Sequence, residues 1–136
     1  MNFKKLLGPM RFNFLILTPA CVVVGIASAY HEVGFVNVRD VVLVMIGAIC
    51  AHISVNAFNE YYDFKSGLDI AIKQRTPFSG GTGTLPATPE IAKSTLVMAI
   101  IALMITAIIG IFFFIIRGFG IIPLGILGLI VIYAYT

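Results

Sequence analysis

Charge is what this chain of 136 residues has least of. Only 11% of its residues are Asp, Glu, Lys or Arg, against about a quarter in an ordinary soluble domain. That shortage excludes a free soluble globule, a disordered chain and a nucleic-acid binder. Nine basic residues against six acidic ones, a net charge of +3, are too few for a polyanion-binding surface. Tryptophan is absent, so any belt at a membrane interface must come from Tyr and Phe. Cysteine is scarce too. Cys21 and Cys50 both fall inside apolar runs, without a second Cys or His pair at metal-binding spacing. They are expected to be small core residues rather than ligands or half of a disulfide.

What fills the chain instead is apolar sequence: 60% of residues are hydrophobic and the mean hydropathy is +1.05. Four runs stand out, at about residues 12–30, 38–62, 91–116 and 119–136. Crossing the hydrocarbon core takes roughly 20 apolar residues in a helix. The expected fold class is therefore all-α: a polytopic membrane helix bundle of four transmembrane helices, with residues 1–136 forming one membrane domain. A cleaved signal peptide is the rival reading of the first run, because Lys4 and Lys5 precede it. That run is long for a signal and has Pro19 in its middle. The pairs Gly25 with Ala29 and Gly47 with Ala51 recur one turn apart, which lets helix backbones approach closely in lipid.

The basic residues divide unevenly among the connections. Lys4, Lys5 and Arg11 precede the first run, and Lys65, Lys73, Arg75 and Lys93 lie between or beside the second and third. Only Arg39 and Arg117 belong to the other two connections. The positive-inside bias then assigns the N-terminus and the segment 63–90 to the cytoplasm, and an even number of crossings returns the C-terminus there, in a multi-pass protein of the cell membrane. The segment 63–90 is the only connection long enough to carry a site.

The second run turns polar towards its end. His52, Asn56, Asn59 and Asp63 are spaced four, three and four apart, which gathers them within an arc of about 60° on one helix face. A polar stripe running into an apolar helix is costly in lipid and faces either a bundle interior or a wet cavity. Interhelical hydrogen bonding is a sufficient use for His52 and Asn56. Asn59 and Asp63 point further, because Asp69 follows. A chain break at Gly67 would bring Asp69 back towards Asp63. Two carboxylates and the Asn59 amide oxygen then make a hard-oxygen cluster, of the kind that holds Mg²⁺ together with waters and substrate phosphates.

Beyond it runs Lys73-Gln-Arg75-Thr-Pro-Phe-Ser79-Gly80-Gly81-Thr-Gly83-Thr-Leu-Pro86. Glycines and hydroxyls expose donors here, and Lys73 and Arg75 add positive charge, so the segment can cradle phosphate oxygens. It is neither a Walker A loop nor a dinucleotide fingerprint, and a flexible linker has much the same composition. Next to an acidic cluster at a membrane surface it acquires a definite use. The acids hold a metal, the metal holds a diphosphate, and the basic and N–H groups take the remaining oxygens.

The stretch Asn59-Glu-Tyr-Tyr-Asp63-Phe-Lys-Ser-Gly67-Leu-Asp69, followed by Thr76-Pro-Phe-Ser-Gly-Gly-Thr-Gly-Thr-Leu-Pro86, resembles the first aspartate-rich motif of the UbiA superfamily of intramembrane prenyltransferases. The aspartate spacing is most similar to the menaquinone-type branch, which prenylates dihydroxynaphthoate. The resemblance is sharp over residues 52–86 and loose over the rest. It implies a partial UbiA-like prenyltransferase fold with a lateral opening to lipid. It implies Mg²⁺-dependent transfer of a polyprenyl group from polyprenyl diphosphate to an aromatic acceptor in menaquinone or related lipid biosynthesis. Asn59, Asp63 and Asp69 would be the metal and diphosphate residues, with Asp63 and Asp69 catalytic. Asn56, Lys73, Arg75, Ser79, Gly80 and Gly81 would serve the substrates, as would Arg11 and Asn13 at the entry of the first helix. Phe58, Tyr61, Tyr62 and Tyr133 are aromatic faces that could stabilise an allylic cation.

Relatives of this kind have about nine spans and a second aspartate-rich motif, neither of which this chain contains. It is therefore expected to be the N-terminal half of such an enzyme, whether through truncation, an interrupted gene or a split enzyme, which leaves room for a partner chain carrying the C-terminal half. Two other classes fit the same length: a non-catalytic membrane subunit or scaffold, and a small four-helix multidrug transporter. Transporters of that kind rely on a membrane-embedded Glu in the first helix, and no acid lies between Phe12 and Tyr30.

Overall fold

The computed structural model describes residues 3–72, 74–76 and 81–135. Among these residues six α-helices run in order: α1 Leu17–Val33, α2 Val38–Ser66, α3 Leu68–Ala71, α4 Thr84–Ala87, α5 Ala92–Arg117 and α6 Ile122–Ala134. Short 3₁₀ turns at Phe3–Leu7, Phe12–Phe14, Pro89–Ile91 and Phe119–Ile121 lead into them.

Local chemistry sets the ends of α2. The Asn37 side chain accepts from the Arg39 backbone N–H at 2.9 Å, which satisfies one of the first-turn donors a helix leaves open. At the other end Gly67 adopts φ 81°, a left-handed conformation that glycine reaches without steric cost. The chain breaks there, as the sequence reading expects, and α3 starts at once.

Among the described residues three helical stretches are long and apolar enough to cross a membrane: Phe12–Val33, Val38–Ser66 and Pro89–Arg117. The fourth apolar run forms a shorter helix, within Phe119–Ala134. Helix α2 is the hub and packs chiefly against α5. The two are antiparallel: Arg117 at the end of α5 donates to Asp40 at the start of α2 at 2.5 Å, while Phe64 and Ile91, at their other ends, meet in one apolar cluster. Their contact is made from small side chains, with Gly47, Ser54 and Ala57 of α2 and Thr95, Ala99 and Ala102 of α5 all buried. A Cβ on Gly47 would come within 3.3 Å of Ile109, and the Thr106 hydroxyl reaches the Gly47 carbonyl at 3.3 Å. Without a hydrophobic drive between helices in lipid, such close packing and hydrogen bonding are what hold them.

Two expectations fail here. A Cβ on Gly25 would touch nothing within 4 Å, because α1 packs more sparsely on α2 than α5 does and turns that face outwards. Cys21, expected in the interior, is exposed on α1 for the same reason.

The two ends of the bundle differ. At one end Arg117 and Arg39 share Asp40, and the Arg39 guanidinium lies 5.2 Å over the Phe112 ring. At the other, Leu6, Leu85 and Ile91 form a small core with Phe64, Ala92 and Met98 against it. That core ties the N-terminal segment, α4 and the start of α5 to the end of α2. Leu85 is 0% exposed, and emptying a buried leucine site costs about 2–5 kcal/mol. Leu85→Ala is expected to loosen this whole end, seen as faster amide hydrogen exchange over residues 82–91. Exchange unchanged there would mean that Leu85 anchors nothing.

Candidate functional site

The polar stripe of α2 opens into the end of the bundle closed by Leu6, Leu85 and Ile91. His52, the deepest member, is half-buried. Asn56 is buried and its Nδ2 donates to the His52 carbonyl at 2.8 Å, so its amide is turned back on its own helix. Asn59 receives Arg11 Nη2 on its Oδ1 at 3.4 Å and gives its Nδ2 to the Tyr135 carbonyl at 3.4 Å. Arg11 also reaches the Tyr135 hydroxyl at 3.5 Å. Its backbone is left-handed, at φ 47°, a conformation that costs a residue with a Cβ roughly 1–2 kcal/mol. The contacts to Asn59 and Tyr135 hold it there and aim the guanidinium across the end of α2.

Asp69 sits one residue into α3 and is 1% exposed. Both of its carboxylate oxygens are buried without a hydrogen-bond partner among the described residues. Arg75 Nη1 stands 3.6 Å from Oδ1, and Arg75 Nη2 donates to the Asp69 backbone carbonyl. Burial pushes the Asp69 carboxyl above the usual carboxylate range; Arg75 opposes this and the nearby Asp63 charge adds to it. Asp63 itself is half-buried, on the last turn but one of α2.

Over Asp69 lies the glycine segment. Gly81 has φ 66°, and a Cβ there would sit 2.6 Å from Asp69 Oδ1. Gly83, at φ 70°, would bring a Cβ within 3.1 Å of Arg75 Nε. Between them Thr82 turns inwards onto Glu60, which is 1% exposed and accepts the Thr82 N–H at 2.7 Å and its hydroxyl at 2.9 Å.

A cleft of about 510 Å³ opens between the N-terminal segment and the glycine segment, lined by Arg11, Asn13, Arg75, Gly81, Thr82 and Thr84 among others. A second, apolar groove of about 750 Å³ is lined by Phe58, Tyr62 and Tyr133 with Leu103, Leu129 and Ile132. Tyr61 stays outside that lining and packs edge-on against Tyr62 at 5.3 Å.

Of the residues picked out by sequence, Arg11, Asn13, Arg75 and Gly81 thus share one cleft, with Asp69 directly behind Gly81 and Asn59 joined to Arg11. Lys73, Ser79 and Gly80 lie outside the described residues. Glu60 and Tyr135 are participants outside the sequence-derived site, and Thr82, expected among the hydroxyls that cradle phosphate, gives its N–H and hydroxyl to Glu60 instead. Glu60 carried a signal: three residues before Asp63, it lies about 60° round the helix from it, on the flank of the stripe.

Among the described residues no three His, Cys, Asp or Glu side chains gather as a metal cage. Magnesium does not require one, since one or two carboxylates with waters and substrate phosphates suffice. Asp69, whose two buried oxygens have no hydrogen-bond partner among the described residues and which feels the Asp63 charge, fits that mode of binding. No protein-family model, no curated protein and no solved structure matches this chain.

Proposed function

We propose that the chain supplies the first half of an intramembrane prenyltransferase site, for Mg²⁺-dependent transfer of a polyprenyl group from its diphosphate to an aromatic acceptor such as dihydroxynaphthoate. The carrying observation is Asp69: a buried carboxylate whose oxygens have no hydrogen-bond partner among the described residues, with the Arg75 guanidinium 3.6 Å from Oδ1, beneath a glycine backbone, beside a cleft lined by two arginines. Keeping a carboxylate dry is costly; Arg75 offsets part of that cost, and a divalent cation would offset more.

On this reading Arg11 and Arg75 bind the diphosphate oxygens from two sides of the cleft, as forked guanidinium groups do well. Asn13 stands beside Arg11 at the cleft wall, where an acceptor hydroxyl or carboxylate would be met. Asp63 and Asp69 hold the metal, which when bound supplies charge neutralisation on the departing diphosphate. Phe58, Tyr62 and Tyr133 offer ring faces to the isoprenoid and to positive charge building on its first carbons. Tyr62 precedes Asp63 directly, so the apolar groove begins next to the acids.

Geometry also supports treating α6 as a fourth crossing. Tyr135 lies 18 residues past Arg117, and Asn59 lies 19 past Asp40, and the two pairs meet at opposite ends of the bundle. Along the continuous helix α2 that path is about 29 Å at 1.5 Å per residue, close to the roughly 30 Å hydrocarbon thickness, and α6 with the turn before it covers the same distance. The end carrying Lys5, Arg11 and Arg75 is then the cytoplasmic one, since Lys and Arg are more numerous in its segments than beside Arg39 and Arg117.

The test is retention of radiolabelled geranylgeranyl diphosphate by the protein in lipid nanodiscs. Mg²⁺-dependent retention that Asp63→Ala abolishes is the expected result. Retention that ignores both the metal and Asp63→Ala would reject the reading. A scaffold would show no retention at all, and an exporter would instead couple drug efflux to protons in vesicles.

A further inference from the structure

We infer that Glu60 is the positioning residue of this site: it grips Thr82 from behind and so fixes the glycine segment as a wall of the cleft. The grip itself follows from geometry alone; its consequence for substrate rests on the function proposed above. Glu60 does not line the cleft, yet its carboxylate is wholly buried. Removing a carboxylate from water costs several kcal/mol unless donors replace the lost hydration. Here one residue, 22 positions along the chain, provides two donors: Thr82 N–H at 2.7 Å to Oε1 and Thr82 Oγ1 at 2.9 Å to Oε2. Arg11 Nε adds positive charge 3.9 Å away.

The contact extends beyond that pair. A hydroxyl has one proton to give. With the Thr82 proton committed to Glu60, the Thr84 hydroxyl, 2.8 Å away, donates to Thr82. Thr84 in turn packs so tightly against the N-terminal segment that a Cβ on Gly8 would lie 2.0 Å from its Oγ1. Gly8, Arg11, Thr82 and Thr84 all line the cleft. One carboxylate on α2 therefore fastens two facing walls: the glycine segment directly, and the N-terminal segment through Thr84 and Arg11. With Thr82 turned inwards, Gly81 is held over Asp69. Both its oxygens are occupied by Thr82, so its work is to position rather than to ligate.

The substitutions separate the parts of the grip. Glu60→Gln replaces one acceptor oxygen by an NH₂ group facing a donor. Thr82→Val removes the hydroxyl and keeps the N–H, while Thr82→Ser keeps both. The experiment uses the full chain in nanodiscs and reads two things: amide hydrogen exchange over residues 81–84, and affinity for two probes, geranylgeranyl diphosphate with Mg²⁺ and geranylgeraniol, which has the tail and no diphosphate. Glu60→Gln and Thr82→Val are expected to speed exchange at least about tenfold. Contacting partners are not additive, so the double variant should be no worse than the worse single one, and Thr82→Ser should behave as wild type. Diphosphate affinity is expected to fall with protection while geranylgeraniol binds all variants alike.

Unchanged exchange in Glu60→Gln, strict additivity, or equal loss of both probes would overturn the inference. If exchange couples as expected but the wild type ignores the diphosphate, the grip stands and it is the proposed function that fails.

Discussion

Asp69→Asn is expected to make the protein more stable and, at the same time, unable to hold a diphosphate. Burial raises the native carboxyl above its ordinary value, despite Arg75, so the ionised side chain is less comfortable in the fold than in the unfolded chain. The sign follows from linkage: the contribution of Asp69 to stability is full below the unfolded carboxylate pKa and is lost as pH rises through the raised native one. The amide, neutral at every pH, escapes that loss. In chelator at pH 7 the Asp69→Asn protein should melt higher than the wild type, with the gap closing as pH falls through the carboxylate range. Mg²⁺ should then raise the wild-type midpoint by mass action and leave the variant unmoved. Affinity for geranylgeranyl diphosphate in Mg²⁺ should fall at least 100-fold, about 2.7 kcal/mol. A variant that melts lower than wild type in chelator, or that keeps its affinity, contradicts the role given to this carboxylate.

Gly81→Ala should be nearly as damaging, for reasons of backbone and space. At φ 66° any side chain is strained, by roughly 1–2 kcal/mol. The added methyl would also stand 2.6 Å from Asp69 Oδ1, and Asp69 is too buried to retreat into solvent. The glycine segment must lift, opening the wall of the cleft, and diphosphate affinity should drop at least about tenfold. Gly83→Ala is the matched control. Its φ of 70° carries the same backbone strain, but its Cβ meets the Arg75 side chain at 3.1 Å, and a long flexible arginine can give way. Gly83→Ala should therefore cost less affinity than Gly81→Ala. Equal losses would mean that only backbone strain matters, and that the contact of the glycine segment with Asp69 does not.

Much of this was legible in the chain because it follows from periodicity and local turn chemistry. The run of apolar residues in α5 and the stripe at His52, Asn56, Asn59 and Asp63 are properties of neighbours in sequence. So is the stop at Gly67, where φ is 81°. What escaped depends on distant parts meeting. Tyr135 joins the site by contacts 76 residues from Asn59 and 124 from Arg11, which no local pattern encodes. Glu60 was hidden for a different reason. Its neighbours Asn59 and Asp63 fit the narrow arc, and a lone acid on the flank gives no hint that Thr82 will fold back onto it. Gly25 and Gly47 share the same small-residue spacing, yet only Gly47 is pressed against another helix, because the choice is made by which helices pack. The fourth apolar run is helical as its composition implies, but α6 is shorter than the run, because Gly118 and the 3₁₀ turn Phe119–Ile121 precede it.

The proposed site requires Asp63 and Asp69 to hold a divalent cation that also contacts a lipid diphosphate. Electron paramagnetic resonance with Mn²⁺ in place of Mg²⁺ tests this directly, on the protein in nanodiscs with geranylgeranyl diphosphate added. Bound Mn²⁺ showing a phosphorus coupling, and lost together with that coupling in an Asp63→Ala/Asp69→Ala variant, is the predicted result. Absence of bound Mn²⁺ in the wild type, or a phosphorus-coupled signal that survives the double substitution, would contradict it.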